Sequence, residues 1–279
     1  MTVAVRPAAQ AQSAASVTLV CLAHAGGNVA LYREWQQRLP SWIRVHALEL
    51  PGHGARRALP AHTEWPALIE QLHVDLRARV DTSRPFAVFG HSMGALVGLE
   101  LLHAIRLRDG RSPVWFGVSG VTAPTQRDAE TDWLDASHDA MLDKLKELGG
   151  TPDALLADRE FLDLVMPLMR ADFHLCGVHP LHAALAARGP LDCPIAALIG
   201  RDDDATADAA DVAAWSRETR GALTTHAFDG GHFYLDGAPE PVLACVATSL
   251  AAALASSMHR PGVAHVTPAV QSKGEAWMH

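Results

Sequence analysis

The sequence predicts an α/β fold: a mostly parallel central sheet with helices on both faces and a helical lid inserted between two strands. Three observations predict it. Short apolar runs of strand length alternate with stretches of helical period from Val17 to Ser119, the pattern that builds parallel sheets. The alternation halts over about 123–190, where helical spacing alone is found, and resumes at Ile195. Between these, Phe86–Phe89 reads as a buried strand that breaks at Gly90 and restarts as a helix carrying Leu96, Leu99, Leu102 and Ile105.

Taken in order, residues 1–16 are Ala- and Gln-rich without a continuous apolar segment, so they read as a flexible leader and not a signal peptide. Val17–Leu22 is a β-branched apolar run, hence a buried strand, and it ends at His24-Ala25-Gly26-Gly27-Asn28, whose paired glycines let backbone turn tightly beside a ligand. A helix is expected over 30–39 and a strand over 43–50, the latter closing on Pro51-Gly52-His53-Gly54-Ala55-Arg56-Arg57. Arg56 and Arg57 are read as a solvated surface pair in preference to a guide for an acidic partner. Leu68, Leu72, Leu76 and Val80 place one apolar face on a helix over 63–80. A strand follows over 114–119.

In the insertion, Met141, Leu145 and Leu148 repeat at helical spacing, Gly149-Gly150-Thr151-Pro152 interrupts, and Phe161, Val165 and Leu168 mark a second helix. Met141, Met166, Met169 and Leu168 either pack a helical core, the favoured reading, or line an acyl tunnel. Arg170 and Asp172 are expected to form an ion pair within the lid. Beyond it come a strand over 195–199, a helix over 208–220, a strand over 222–228 and a last helix from Pro239 to about 256. Residues 257–279 lack periodicity and read as a flexible tail, which leaves one catalytic domain over 17–256.

Composition narrows the function. At 279 residues the chain can bury a full core, and 49% hydrophobic with 19% charged residues fits a globular protein. A formal charge of −8 with no long basic run argues against nucleic acid as a partner. No stretch of transmembrane length free of polar residues stands out, so no membrane partner is expected. Cys21, Cys176, Cys193 and Cys245 lack metal or redox spacing and read as reduced thiols of a cytoplasmic protein. The sixteen histidines form no H-E-x-x-H cluster, and neither a metal nor an organic cofactor is called for.

The chemistry is carried by Gly90-His91-Ser92-Met93-Gly94. A G-x-S-x-G turn between strand and helix is a nucleophile elbow, which lifts the serine hydroxyl off the sheet edge and leaves the next N–H free for an oxyanion. Asp203, in the run Asp202-Asp203-Asp204 after the strand over 195–199, is the candidate acid by its distance from Gly200. His232, preceded by Gly230-Gly231, completes the order Ser, Asp, His of the α/β-hydrolase fold. Ser92 would act as nucleophile, His232 as its base, Asp203 as the group that orients the imidazole, and the backbone N–H groups of Met93 and Ala25 as oxyanion donors. The reaction class is acyl transfer through an acyl-serine.

Over roughly 17–255 the chain resembles the type II, or editing, thioesterases that accompany polyketide synthases and nonribosomal peptide synthetases. The resemblance rests on His24-Ala25-Gly26-Gly27, Leu50-Pro51-Gly52-His53-Gly54-Ala55-Arg56, the elbow, Leu148-Gly149-Gly150-Thr151-Pro152, Met166-Pro167-Leu168-Met169-Arg170-Ala171-Asp172-Phe173 and Gly230-Gly231-His232-Phe233. The chain departs from the family where it writes Asp203-Asp204 in place of Asp-Pro. The resemblance implies a free-standing monomer that hydrolyses acyl groups from the phosphopantetheine of acyl or peptidyl carrier proteins, removing stalled or aberrant chains. Two other readings stand beside it: a general serine esterase or acyl-CoA thioesterase with the same triad, and a non-catalytic carrier-binding protein.

Overall fold

A computed structural model describes residues 16–185, 188–237 and 239–258. The leader expected over 1–16 lies outside these residues apart from Ser16, and so does the tail beyond 258.

Six strands, β1 (Val17–Leu22), β2 (Ile43–Ala47), β3 (Phe86–His91), β4 (Phe116–Ser119), β5 (Ile195–Gly200) and β6 (Leu223–Phe228), form one sheet in the order β2-β1-β3-β4-β5-β6. Every pairing is parallel, so each connection must cross back over a face of the sheet. Eight α-helices accompany the described strands: α1 (Trp35–Arg38), α2 (Trp65–Arg77), α3 (Met93–Asp109), α4 (His138–Leu148), α5 (Asp153–Leu156), α6 (Arg159–Leu185), α7 (Ala209–Ala213) and α8 (Glu240–Met258).

Strand periodicity sorts the core into two layers. Val20 and Leu22 of β1 and Phe86 and Val88 of β3 face one side, where they meet Leu68, Leu72 and Leu76 of α2 and Leu96, Leu99 and Leu102 of α3. Their neighbours Leu19, Cys21, Ala87 and Phe89 face the other side, against Tyr32, Trp35 and the Val242, Leu243, Val246 and Leu250 stripe of α8. Full burial of each such large side chain contributes about 1.5–3 kcal/mol. The central strands, covered on both faces, are therefore almost continuously apolar.

Several elements are shorter than their sequence patterns suggest. The helix expected over 30–39 is a 3-10 turn, Val29–Tyr32, followed by α1. Asn28 caps the turn at Ala30 N, and the Tyr32 hydroxyl donates to the Leu22 carbonyl at 2.7 Å, which draws the chain onto the sheet before a longer helix can run. β2 stops at Ala47 and not Leu50, because Glu49 turns its carboxylate to the N–H groups of Val29 and Ala55. The helix expected over 208–220 is α7 continued by a 3-10 turn, Ala214–Glu218, that seats Trp215 in the core with its Nε1–H on the Val121 carbonyl. Glu240–Ser257 of α8 has a mean hydropathy of 1.4, long and apolar enough by length and composition to cross a bilayer, although it carries Glu240, Thr248, Ser249, Ser256 and Ser257. Its Val and Leu stripe is packed on the sheet.

The insertion carries its own apolar cluster, in which Met141 and Leu145 of α4 and Leu156 of α5 meet Leu162, Met166, Met169 and Phe173 of α6. α6 is also fixed to the main body: Leu175 belongs to the principal core, and its carbonyl accepts from Trp65 Nε1 at 3.0 Å. Pro180, inside α6, has no N–H for the carbonyl of Cys176, and Arg127 Nη2 donates to that carbonyl instead.

Candidate active site

The carboxyl ends of β1, β3, β5 and β6 bring the candidate residues to one edge of the sheet, where open α/β sheets place their ligands. Ser92 sits on the corner between β3 and α3 with φ 53° and ψ −120°, and among the described residues it is the only non-glycine with positive φ. Such backbone costs of order 1–3 kcal/mol and survives only where its surroundings hold it. Packing explains the two flanking glycines. A Cβ on Gly90 would lie 2.1 Å from the Gly94 carbonyl oxygen, and one on Gly94 would lie 2.2 Å from that of Leu22 in β1. The corner is thereby pressed onto β1, and Ser92 N–H is held by the Ser119 carbonyl of β4 at 2.7 Å.

Asp203 and His232 project from the loops after β5 and β6. Both carboxylate oxygens of Asp203 lie 3.1 Å from His232 Nδ1, with the two side chains 2% and 7% exposed. A carboxylate partner makes Nδ1 the protonated nitrogen of the neutral ring, which leaves a lone pair on Nε2. Asp203 Oδ1 also accepts from Ala205 N, while Asp202 and Asp204 are exposed. Of the three consecutive aspartates, the one singled out by its distance from Gly200 is the one on the imidazole.

Ser92 and His232 line a common cavity of about 180 Å³ with Met93 and Ala25. Among the described residues neither the Met93 nor the Ala25 N–H makes a hydrogen bond, so both donors are available to a ligand oxygen. The lid contributes Trp133, Leu148, Phe173 and Cys176 to the wall. Met141, Met166 and Met169 lie in the lid's own cluster, so of the two sequence readings of these methionines the helical-core one describes them.

Beneath His232 lies a polar floor that sequence reasoning missed. His91 Nδ1 and the Ser119 hydroxyl are 2.8 Å apart, and that hydroxyl is 2.6 Å from the Tyr234 hydroxyl. The His91 ring centre is 5.1 Å from that of His232. Burial, with His232 and His24 nearby, holds His91 well below the usual histidine range, so it stays neutral and adds no second charge beneath the base. Burial raises the Tyr234 phenol, which keeps its proton.

Two sequence expectations are corrected here. Arg170 and Asp172 are not an ion pair: Arg170 donates to the Ala136 carbonyl, and Asp172 accepts from Gly26 N and His53 Nε2 at 2.7 and 2.9 Å. Arg170 and Asp172 are two residues apart on one helix, and such neighbours point away from each other. Arg56 and Arg57 are not a matched surface pair either. Arg56 is half-buried against Asp75 and the Glu49 carbonyl, whereas Arg57 is exposed. The phrases around His53 and Asp172 were visible in the sequence, but no local pattern joins them.

A family model described as "Thioesterase domain" matches residues 17–250. Among curated proteins, the chain is similar to the gramicidin S biosynthesis protein GrsT of Aneurinibacillus migulanus, 32% identical over 81% of this chain and 86% of that one. It is also similar to the thioesterase PikA5 of Streptomyces venezuelae, 35% identical over 79% and 76% of the two chains. Among solved structures, RedJ, a thioesterase from the prodiginine biosynthetic pathway in Streptomyces coelicolor, superposes with a TM-score of 0.75 at 33% identity, covering 85% of this chain and 86% of that one. BorB, a type II thioesterase from the borrelidin biosynthetic cluster, gives 0.73 at 32% identity, covering 84% and 93%.

Proposed function

The chain belongs to the thioesterase family of serine hydrolases, and we propose that it cleaves acyl groups from the phosphopantetheine thiol of acyl or peptidyl carrier proteins, using Ser92, His232 and Asp203. One observation carries the reading: a strained serine and an imidazole backed by a carboxylate open onto one cavity, beside two N–H groups without partners. Three relatives whose names place them in a biosynthesis, pathway or cluster, GrsT, RedJ and BorB, support the carrier-borne substrate.

In this reading Ser92 Oγ attacks the thioester carbonyl while His232 Nε2 takes its proton, and Asp203 stabilises the imidazolium. The carbonyl oxygen becomes an oxyanion held by the N–H groups of Met93 and Ala25, donors each worth about 3–4 kcal/mol of barrier in related chemistry. Collapse breaks the C–S bond, His232 returns the proton to the departing sulfur, and the acyl group remains on Ser92. Water, deprotonated by His232, then attacks the ester; the C–Oγ bond breaks, His232 returns the proton to Ser92 Oγ, and the acid is released. No step calls for a metal or an organic cofactor. The catalytic unit is residues 17–256 with the lid at about 123–190, acting as a monomer. A cytoplasmic setting is supported by four cysteines that form no disulfide.

The test is hydrolysis of one short acyl group presented on a holo carrier protein, on coenzyme A and as an oxygen ester, with Ser92→Ala as blank. The carrier thioester is expected to turn over fastest and the variant to be inactive. Equal or faster turnover of the simple ester would leave a general serine esterase, and retained activity in Ser92→Ala would remove the nucleophile.

A further inference from the structure

The loop that presents Ala25 is held from outside the sheet. Gly26 N–H, one residue beyond, donates to Asp172 Oδ2 at 2.7 Å, and Asp172 belongs to α6 of the lid insertion, 146 residues away in sequence. The same oxygen lies 2.9 Å from His53 Nε2, and His53 Nδ1 lies 3.0 Å from the Pro51 carbonyl. A carbonyl and a carboxylate oxygen are both acceptors, so both ring nitrogens of His53 must donate, which describes an imidazolium. The two side chains are 4% and 2% exposed, and water takes little part in the pair. Met169, one turn earlier on α6, closes the clamp: a Cβ on Gly26, at φ +71°, would lie 2.4 Å from its sulfur.

We propose that Asp172 and His53 are positioning residues, a buried ion pair through which the lid insertion fixes the Gly26 peptide and so aims the Ala25 N–H at the cavity. This rests on the reading of Ala25 as an oxyanion donor. Asp172 consumes the Gly26 N–H, leaving the Ala25 N–H as the loop's donor to the cavity. The machinery is then complete only while α6 is seated on the loop, so lid placement and oxyanion binding are one event. Misplacing a donor by about 1 Å is enough to cost about 100-fold in rate.

The pair is pH-sensitive in a defined direction. Burial lowers the basicity of His53, but the hydrogen bond and charge of Asp172 from α6, the Pro51 carbonyl and the Glu49 carboxylate from the segment after β2 outweigh it and hold His53 above the usual histidine range. His24 and Cys176 are the other titratable groups near Asp172; burial lowers the His24 imidazole and raises the Cys176 thiol, so neither adds a charge beside the pair as His53 titrates. The ion pair is therefore intact below the ordinary histidine value and is lost as pH rises through the raised one.

Asp172→Asn and His53→Gln would be compared with the parent chain on a carrier-bound acyl thioester, with an alkylboronic acid as a mimic of the tetrahedral intermediate. Both variants are expected to lose at least about tenfold in kcat with KM within about twofold, and to bind the boronic acid correspondingly more weakly. The parent's rate should fall on the alkaline side, and His53→Gln should lack that limb. Should Asp172→Asn fail to fold, His53→Gln carries the same measurements. An unchanged kcat, a loss confined to KM, or an alkaline limb that persists in His53→Gln would overturn the proposal. Ser92→Ala separates the two levels: an inactive Ser92→Ala beside a fully active Asp172→Asn rejects this inference alone, while an active Ser92→Ala rejects the underlying assignment.

Discussion

His232 Nδ1 is equidistant, at 3.1 Å, from the two carboxylate oxygens of Asp203. The loop after β5 thus fixes both the tautomer and the angle of an imidazole carried by the loop after β6. Asp203→Asn presents an amide N–H where Nδ1 needs an acceptor and favours the wrong tautomer. The expected result is a fall in kcat of about 10⁴ with little change in KM. Asp202→Asn and Asp204→Asn, at exposed positions, should stay near the parent rate. Steady-state kinetics of the three variants decides it, and a large loss in Asp202→Asn with none in Asp203→Asn would reassign the acid.

Gly94 is where β1 and the elbow touch. Its missing Cβ would lie 2.2 Å from the Leu22 carbonyl oxygen and 2.6 Å from that of Ala23, both backbone atoms that cannot rotate aside. Gly94→Ala should cost about 1–3 kcal/mol in a urea titration and displace Ser92 as well, lowering activity in the protein that remains folded. A parental midpoint would show that β1 and α3 can separate freely.

Glu100, on the buried face of α3, receives hydrogen bonds from His179 at 2.9 Å, from His182 at 3.0 Å and from Arg188 through both oxygens. Burial by itself would raise its pKa, but these donors and the Arg188 charge outweigh it and hold the carboxyl far below the usual carboxylate range. The stabilisation is present above the unfolded glutamate value of about 4.3 and is lost as pH falls toward the folded one. Glu100→Gln should cost about 3–5 kcal/mol at pH 7 and flatten the decline in stability below about pH 4, as followed by thermal melts across that range.

Leu148, at the end of α4, is a half-buried wall of the cavity. Leu148→Phe should fill part of its 180 Å³ and lower kcat/KM for hexanoyl and longer thioesters while leaving acetyl turnover unchanged. A series of acyl thioesters of increasing length reads the shift, and a uniform effect on all lengths would place the acyl chain elsewhere.

What short-range physics controls was legible in the order of the residues. Alternation of strand and helix periods dictated a parallel sheet, since side-chain direction repeats every two or 3.6 residues within a few turns of chain. Gly90, Ser92 and Gly94 declared a corner, because five residues suffice to specify its sterics. The tertiary structure decided the rest. Whether the lid methionines lined a tunnel or their own core depended on how α4, α5 and α6 pack. Asp172 lies 119 residues from His53 and Glu100 lies 79 from His179, and hydrogen bonds across such separations leave no period for a local window to detect. Only folding, by excluding water from these carboxylates and supplying partners in its place, turned ordinary acidic residues of two helices into the ties that join the lid to the sheet.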